Sequence, residues 1–361
     1  MGVAFVTGFP GFIGRRLVRS LLEARPGDGE ARVVVLVEER MRDGAREVAA
    51  DLDAERVEVL VGDIAQRRLG LSDADWERLA GEVTHVFHLA AIYDLAVPLE
   101  VAQRVNVDGT GNVLELCEAA RGLERLTYVS TAYVAGDRHG VVYEHELVLG
   151  QGFKNHYEST KFQAEVWVRE LMDRVPTTIL RPAIVVGDSR TGETEKFDGP
   201  YYLLRAISRA ARAGRAIAQF GASDATFNVV PVDYVVAALT AAATAPETLG
   251  ETLHLVDPEP LTTLELVTAL SRAYAGRAPR GRVPPGLVSA SLGIRAVRDA
   301  LGGTPRESIV YLNHAVTFDT RRTVDLLAPH GLTPPRFADY VEPMVEFFRA
   351  HEADPAFAPR R

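Results

Sequence analysis

The stretch Val3-Ala4-Phe5-Val6-Thr7-Gly8-Phe9-Pro10-Gly11-Phe12-Ile13-Gly14 constrains the chain most. A short apolar run breaks into glycines and reopens as the amphipathic Arg15-Arg16-Leu17-Val18-Arg19-Ser20-Leu21-Leu22, which reads as strand, tight turn and helix. Gly8 allows the sharp turn, Gly11 lets the backbone approach a pyrophosphate, and Gly14 lets the helix pack on the strand, while amides at the helix start attract phosphate. The turn Thr7, Gly8, Phe9, Pro10, Gly11, Phe12, Ile13 and Gly14 is therefore the expected cradle of a dinucleotide; a glycine-rich turn without a ligand is the alternative.

The rest of the chain fits a soluble globular protein. Its 361 residues, 47% of them hydrophobic, bury a sizeable core in one large domain or two smaller ones. A net charge of −9 without a long basic run argues against nucleic acid as a partner. The single cysteine, Cys117, has no internal disulfide partner and sits in a periodic stretch that reads as core. The first strand begins without a charged leader and no apolar run approaches the ~20 residues of a bilayer span, so a cytoplasmic protein with no membrane span is expected. Apolar runs at Val33–Val37, Val57–Val61, Val83–Leu89, Leu126–Ser130 and Thr177–Leu180 alternate with helical patterns, which predicts a parallel sheet covered on both faces. We expect an α/β Rossmann doubly wound sheet over residues 1–190, with segments at about 226–256 returning to it. A smaller, mainly helical substrate-binding region would span 191–350, with helices near Pro231–Ala243, Thr262–Ala275 and Arg336–Ala350, and a frayed tail would span 351–361.

Other strand ends supply candidates. The second ends Val37-Glu38-Glu39-Arg40: Glu38 or Glu39 can accept from ribose hydroxyls and repel a 2′-phosphate, Arg40 or Arg15 can bind that phosphate, and a solvated strand end is the third reading. The third ends Gly62-Asp63-Ile64, where the acid can meet the adenine edge, and the fourth ends His88-Leu89-Ala90-Ala91, where small residues leave room for a cofactor. His139, His145 and His156 share one loop but lack ligand spacing to Cys or carboxylate, so no metal is expected. Arg277, Arg280 and Arg282 either meet coenzyme A phosphates or form a solvated loop, and Val283–Leu301 reads as core or lid packing.

The chemical signal is Tyr157-Glu158-Ser159-Thr160-Lys161 opening a helix, with Val129-Ser130-Thr131 at an earlier strand end. Residues four apart share a helix face, so the Lys161 ammonium is expected beside the Tyr157 phenol, lowering its pKa for proton transfer, with a strand-end hydroxyl polarising a carbonyl. Ser159 and Thr160 read as surface or capping hydroxyls.

These motifs, followed by Asn106-Val107-Asp108-Gly109-Thr110-Gly111-Asn112, Arg181-Pro182 and Val230-Pro231-Val232-Asp233-Tyr234-Val235, resemble the extended short-chain dehydrogenase/reductase family over roughly the first 235 residues. The resemblance implies Tyr157 as proton donor or acceptor, Lys161 as its partner and holder of the nicotinamide ribose, Asn106 in a proton relay, and Thr131 as the catalytic hydroxyl beside Ser130. Val134-Ala135-Gly136 sets that register, with Ala135 in place of the usual tyrosine. Cofactor contacts are expected from the glycine turn, Glu38, Arg40, Asp63, Ile64, Leu89, Ala90, Ala91, Ser130, Tyr157, Lys161 and Pro182. Phe153 to Lys161 and Leu180-Arg181-Pro182 are similar to the branch of fatty acyl-CoA reductases and thioester reductases, the male-sterility-like NAD-binding domains. That branch implies NAD(P)H-dependent reduction of an acyl thioester, carried by coenzyme A or delivered in trans by a carrier protein, or of the derived aldehyde. NADP(H) is favoured over NAD(H), with an elongated apolar acyl site formed by Thr191 to Ala350 in a free-standing monomer or homodimer. The alternatives are a dehydrogenase or epimerase of a sterol-like or sugar substrate and a non-catalytic redox sensor.

Overall fold

The computed structural model describes residues 2–24, 32–94, 97–219, 225–281 and 310–358. Its strands are β1 (Val3–Thr7), β2 (Arg32–Val37), β3 (Val57–Val61), β4 (Val83–His88), β5 (Arg125–Val129), β6 (Gly140–Val142), β7 (Thr177–Pro182), β8 (Ile184–Val186), β9 (Val229–Pro231), β10 (Thr252–Leu255) and β11 (Val316–Phe318). Its helices are α1 (Phe12–Glu23), α2 (Arg42–Asp53), α3 (Asp73–Glu82), α4 (Leu99–Ala102), α5 (Gly109–Ala119), α6 (His156–Glu170), α7 (Pro200–Arg212), α8 (Val232–Thr244), α9 (Thr263–Ala275), α10 (Arg321–Leu327) and α11 (Phe337–His351).

Seven strands form one sheet in the order β10-β7-β5-β4-β1-β2-β3, parallel throughout. Successive strand side chains point to opposite faces, so Val33, Val35 and Val37 join the core under α1 and α8, whereas Val34 and Leu36 join the core under α3, α5 and α6. Two covered faces leave no polar side on the strand, which is why β2 reads as an unbroken apolar run. The chain leaves β1 toward β2 on one side and reaches β4 on the other, so the carboxyl ends of β1 and β4 flank the crevice where such sheets bind ligands.

Two smaller parallel pairs, β6 with β11 and β8 with β9, bring late segments back against the sheet. Helices α7, α9 and α11 enclose an aromatic cluster in which Phe197 lies 4.9 Å from Phe348 and 4.4 Å from Phe357 between ring centroids. Phe357 and Glu352 correct the expectation of a frayed tail: Phe357 stacks on Phe197, and Glu352 accepts hydrogen bonds from Ser208 at 2.6 Å and Tyr274 at 2.9 Å. The expectations for Arg282 and Val283–Leu301 lie outside the described residues.

Beneath the crevice lies a fully buried ion pair. Arg181, on β7, donates from Nη2 to Glu165 Oε1 at 2.6 Å and from Nε at 3.1 Å, and both side chains are almost inaccessible. Removing one member of such a pair leaves a buried charge without its partner, so Glu165→Ala is expected to destabilise the protein by about 3–5 kcal/mol. Urea unfolding measures it; a loss below about 1 kcal/mol would mean that water or another group replaces the carboxylate.

Candidate active site

Gly8 has φ +91°, a conformation that favours glycine, and a Cβ there would come within 3.0 Å of Ala90 N. At Gly14 a Cβ would lie 2.4 Å from Gly8 O, so α1 can sit this close to the turn only without a side chain. Gly11 is the N-cap of α1; no side chain caps the helix and its first turn holds no acidic residue. These free, positively polarised amides fit a pyrophosphate, whereas a carboxylate among them would repel it.

Behind the turn, Thr7 Oγ1 accepts from the amides of Leu89 and Ala90 at 3.2 Å each, locking the end of β4 to that of β1. Asp63 Oδ1 accepts from Ala65 N at 2.9 Å in a local turn, while the Ile64 side chain is buried against Gly109 and its carbonyl accepts from Asn112. Arg40 is not free at the end of β2: its guanidinium donates to both oxygens of Glu38, at 2.8 and 3.0 Å. Arg15 is paired with Glu193 at 3.3 Å and Glu195 at 3.0 Å. Both candidate phosphate ligands are therefore engaged with carboxylates, as expected where nothing else holds them.

Thr131 and Tyr157 meet in the crevice. Thr131 follows β5, where its Oγ1 accepts from Tyr133 N at 3.3 Å and lies 3.5 Å from Pro182 O. Burial pushes the Tyr157 phenol up to about 12, opposed by a hydrogen bond with the Thr131 side chain. Tyr157 is in the first turn of α6, whose N-cap Asn155 accepts from Glu158 N at 2.9 Å.

Lys161 has acceptors that local pattern does not reveal. It lies one turn beyond Tyr157, and its Nζ donates to Tyr128 Oη at 2.9 Å and to Val129 O at 2.8 Å. A buried ammonium must satisfy its donors, and the two oxygens of β5 do so. Burial lowers Lys161 to about 7, opposed by Glu165.

Ser130 and Asn106 also find other partners. Ser130 directs its hydroxyl to Glu165 Oε2 at 2.6 Å, on the side of the strand opposite Thr131. Asn106, on a π-helical turn at Gln103–Asp108, accepts from Ile92 N at 2.8 Å and donates to Thr160 Oγ1 at 3.1 Å. Thr160, read from sequence as a surface or capping hydroxyl, is buried and fixes Asn106 in place.

Sequence reasoning missed three neighbours of this cluster. The Tyr93 ring, 49% exposed, stands edge-on to Tyr157 with centroids 5.1 Å apart and forms a wall of the crevice. Tyr128 and Glu165 hold Lys161 and Ser130 from below. A signal was available: the chain's only lysines are Lys154, Lys161 and Lys196, against a large excess of arginine. Lys154 and Lys161 are both buried in or beside α6, where the positions demand an ammonium.

A family model described as male sterility protein, for an NAD-binding domain, matches residues 6–239. One component of the linear gramicidin synthase of Brevibacillus parabrevis is 28% identical over 283 residues, 74% of this chain and 5% of that protein. The carboxylic acid reductase of Segniliparus rugosus is 28% identical over 268 residues, 65% of this chain and 22% of that protein. The terminal R domain from the myxalamid PKS-NRPS biosynthetic pathway superposes with a TM-score of 0.81 at 27% identity, covering 99% of this chain and 92% of that one. The chain thus spans less than a quarter of these two curated relatives and nearly all of the solved R domain. Since the family model covers more than half of the sequence and includes every residue of the crevice from Val6 to Arg181, the chain belongs to the male sterility family of NAD-binding domains, within the extended short-chain dehydrogenase/reductases.

Proposed function

We propose that the protein is a nicotinamide-dinucleotide-dependent reductase of an acyl thioester, presented by coenzyme A or a carrier protein, or of the derived aldehyde. The meeting of the Thr131 hydroxyl and the protonated Tyr157 phenol beside the glycine-turn crevice carries this reading. The bound dinucleotide supplies the hydride. The amides at the start of α1 hold its pyrophosphate, and no acidic side chain in that first turn opposes them. Thr131 and Tyr157 then hold the substrate carbonyl oxygen, Thr131 as hydrogen-bond donor and Tyr157 as general acid. With its pKa at about 12, the phenol is protonated at neutral pH, and an alkoxide is a stronger base than a phenolate, so the proton passes from Tyr157 to oxygen as charge develops; for a thioester the C–S bond then breaks, the hydroxyl proton returns to Tyr157, and coenzyme A or the carrier leaves as its thiolate, giving the aldehyde. The name carboxylic acid reductase of one relative supports reduction of an acyl group.

For the cofactor we infer NADPH. Glu38 would repel a 2′-phosphate, but Arg40 already compensates its charge with two hydrogen bonds and is exposed enough to turn toward a phosphate.

Purified protein given reduced cofactor should consume acyl-CoA thioesters in preference to ketones or nucleotide sugars. Its kcat/KM should rise about fourfold per methylene until the site is full, as expected for burial of ~0.8 kcal/mol per methylene. Turnover of ketone or sugar without thioester would replace this reading by that of a dehydrogenase or epimerase. Tyr157→Phe should lower kcat about 10²- to 10⁴-fold with cofactor Kd unchanged, and a change of only a few-fold would remove Tyr157 from the chemistry. Gly11→Val should abolish cofactor binding in fluorescence titrations, because even a Cβ there comes within 2.9 Å of Gly8 O and the rest of the side chain fills the phosphate position. Arg40→Ala should weaken NADPH binding far more than NADH binding; equal effects would show that Arg40 serves only Glu38.

A further inference from the structure

A chain of buried hydrogen bonds runs from the glycine turn to Thr110, beside the phenol that holds Lys161, and the available donors and acceptors settle its direction. Thr7 Oγ1 already accepts from two amides, so its proton goes to His88 Nδ1, 2.7 Å away. With Nδ1 accepting, the neutral imidazole carries its proton on Nε2 and donates to Thr110 Oγ1 at 3.0 Å. Burial, with Lys161 adding to it, pushes His88 down to about 3, so the ring stays neutral across the working range. Thr110 sends its own proton to Asn106 O at 2.7 Å. Tyr128 is the next polar neighbour of Thr110, and its oxygen accepts from the Lys161 ammonium at 2.9 Å. Thr7, His88, Thr110, Tyr128 and Lys161 are all buried, so no solvent competes for any of these bonds.

We propose that Tyr128 is a positioning residue for Lys161, its oxygen the side-chain acceptor of the ammonium beside the buried chain Thr7–His88–Thr110. Tyr128 keeps the lysine charged and on the β5 side of the crevice, where Val129 O is its second acceptor. Glu165 on the same helix, clamped by Arg181 of β7 and by Arg169, supplies the opposite charge. Tyr128, His88, Tyr157 and Glu165 are thus the titratable groups around the ammonium, and Tyr128 is the one that touches it. Neither the i,i+4 relation to Tyr157 nor the family motif points to this residue. The catalytic consequence rests on the reading of Lys161 as the partner of Tyr157; the contact itself does not.

The scarcity of lysine makes the test direct. Protein labelled with ¹³C at lysine Cε gives signals from Lys154, Lys161 and Lys196 alone, assigned by substitution. Tyr128→Phe retains the ring, whose centroid lies 4.4 Å from Nζ, and removes only the oxygen. Loss of an acceptor disfavours the charged form, so the Lys161 midpoint should fall from about 7 by about one unit. The ammonium is then lost at lower pH, and the alkaline limb of kcat/KM should move down by the same amount, with Lys154 and Lys196 unshifted. Should the Phe variant fold poorly, Tyr128→Met, which also removes the oxygen, should shift Lys161 the same way. An unmoved Lys161 midpoint in both Tyr128→Phe and Tyr128→Met overturns the proposal. Full turnover by Lys161→Met would overturn the catalytic reading of the lysine, and the NMR shift would still decide whether Tyr128 holds it.

Discussion

The buried pair of Arg181 and Glu165 is what the crevice rests on. Besides Glu165, the guanidinium donates to Glu146 O at 2.8 Å and Glu144 O at 3.3 Å and lies 3.2 Å from His254 Nε2. Glu165 collects Ser130 Oγ and Arg169 Nε in addition. Burial alone would keep the Glu165 carboxyl protonated, but Arg181, Arg169 and Ser130 outweigh it and hold its pKa below the usual range. One planar, five-donor group thereby joins α6, β7, β10 and the loop after β6, which a lysine in its place could not do. Thr131 is the neighbour of Ser130 and Lys161 is one turn from Glu165, so the side chains proposed to react inherit their positions from this pair.

A second carboxylate extends the same logic to the late part of the chain. Glu144 is buried, and it accepts from the amides of His254 at 3.0 Å, Arg322 at 2.9 Å and Thr323 at 3.1 Å. Glu158, also fully buried, accepts from Tyr311 Oη at 2.6 Å and from Lys154 N at 3.0 Å. The segments after residue 310 are therefore pinned to the active-site helix and to the sheet edge by hydrogen bonds to single carboxylates as well as by apolar packing.

Such partners explain how far the sequence could be read. The sheet was legible because strands buried on both faces appear as unbroken apolar runs, and their ends were placed within about two residues. The glycine turn was legible because three positions lose their tolerance for a Cβ together. Helical periodicity put Tyr157 and Lys161 on one face but could not say which oxygen would satisfy a buried ammonium; Tyr128, 33 positions earlier, does so through the fold. Ser130 and Thr131 looked interchangeable as adjacent hydroxyls, yet alternation at the strand end sends one to Glu165 and the other to Tyr157. The docked Phe357 was illegible for the same reason, since its ring partner Phe197 lies 160 positions away in sequence. Local pattern records which side chains must be buried; it does not record which distant group they meet.

The placement of Lys161 bears on the direction of the chemistry. A tyrosine that removes a proton must first become a phenolate, and at Tyr157 burial opposes that while the nearest ammonium is held by Tyr128 and Val129. A tyrosine that gives up a proton has the reverse requirement, and here the phenol is protonated throughout the neutral range with Thr131 alongside to share the developing charge. The phenolate that donation leaves is the same species that would accept a proton in the reverse direction, so the ammonium would serve either by exchanging a β5 acceptor for the Tyr157 oxygen. At neutral pH the resting site holds the proton on Tyr157, which is the state from which a reduction starts.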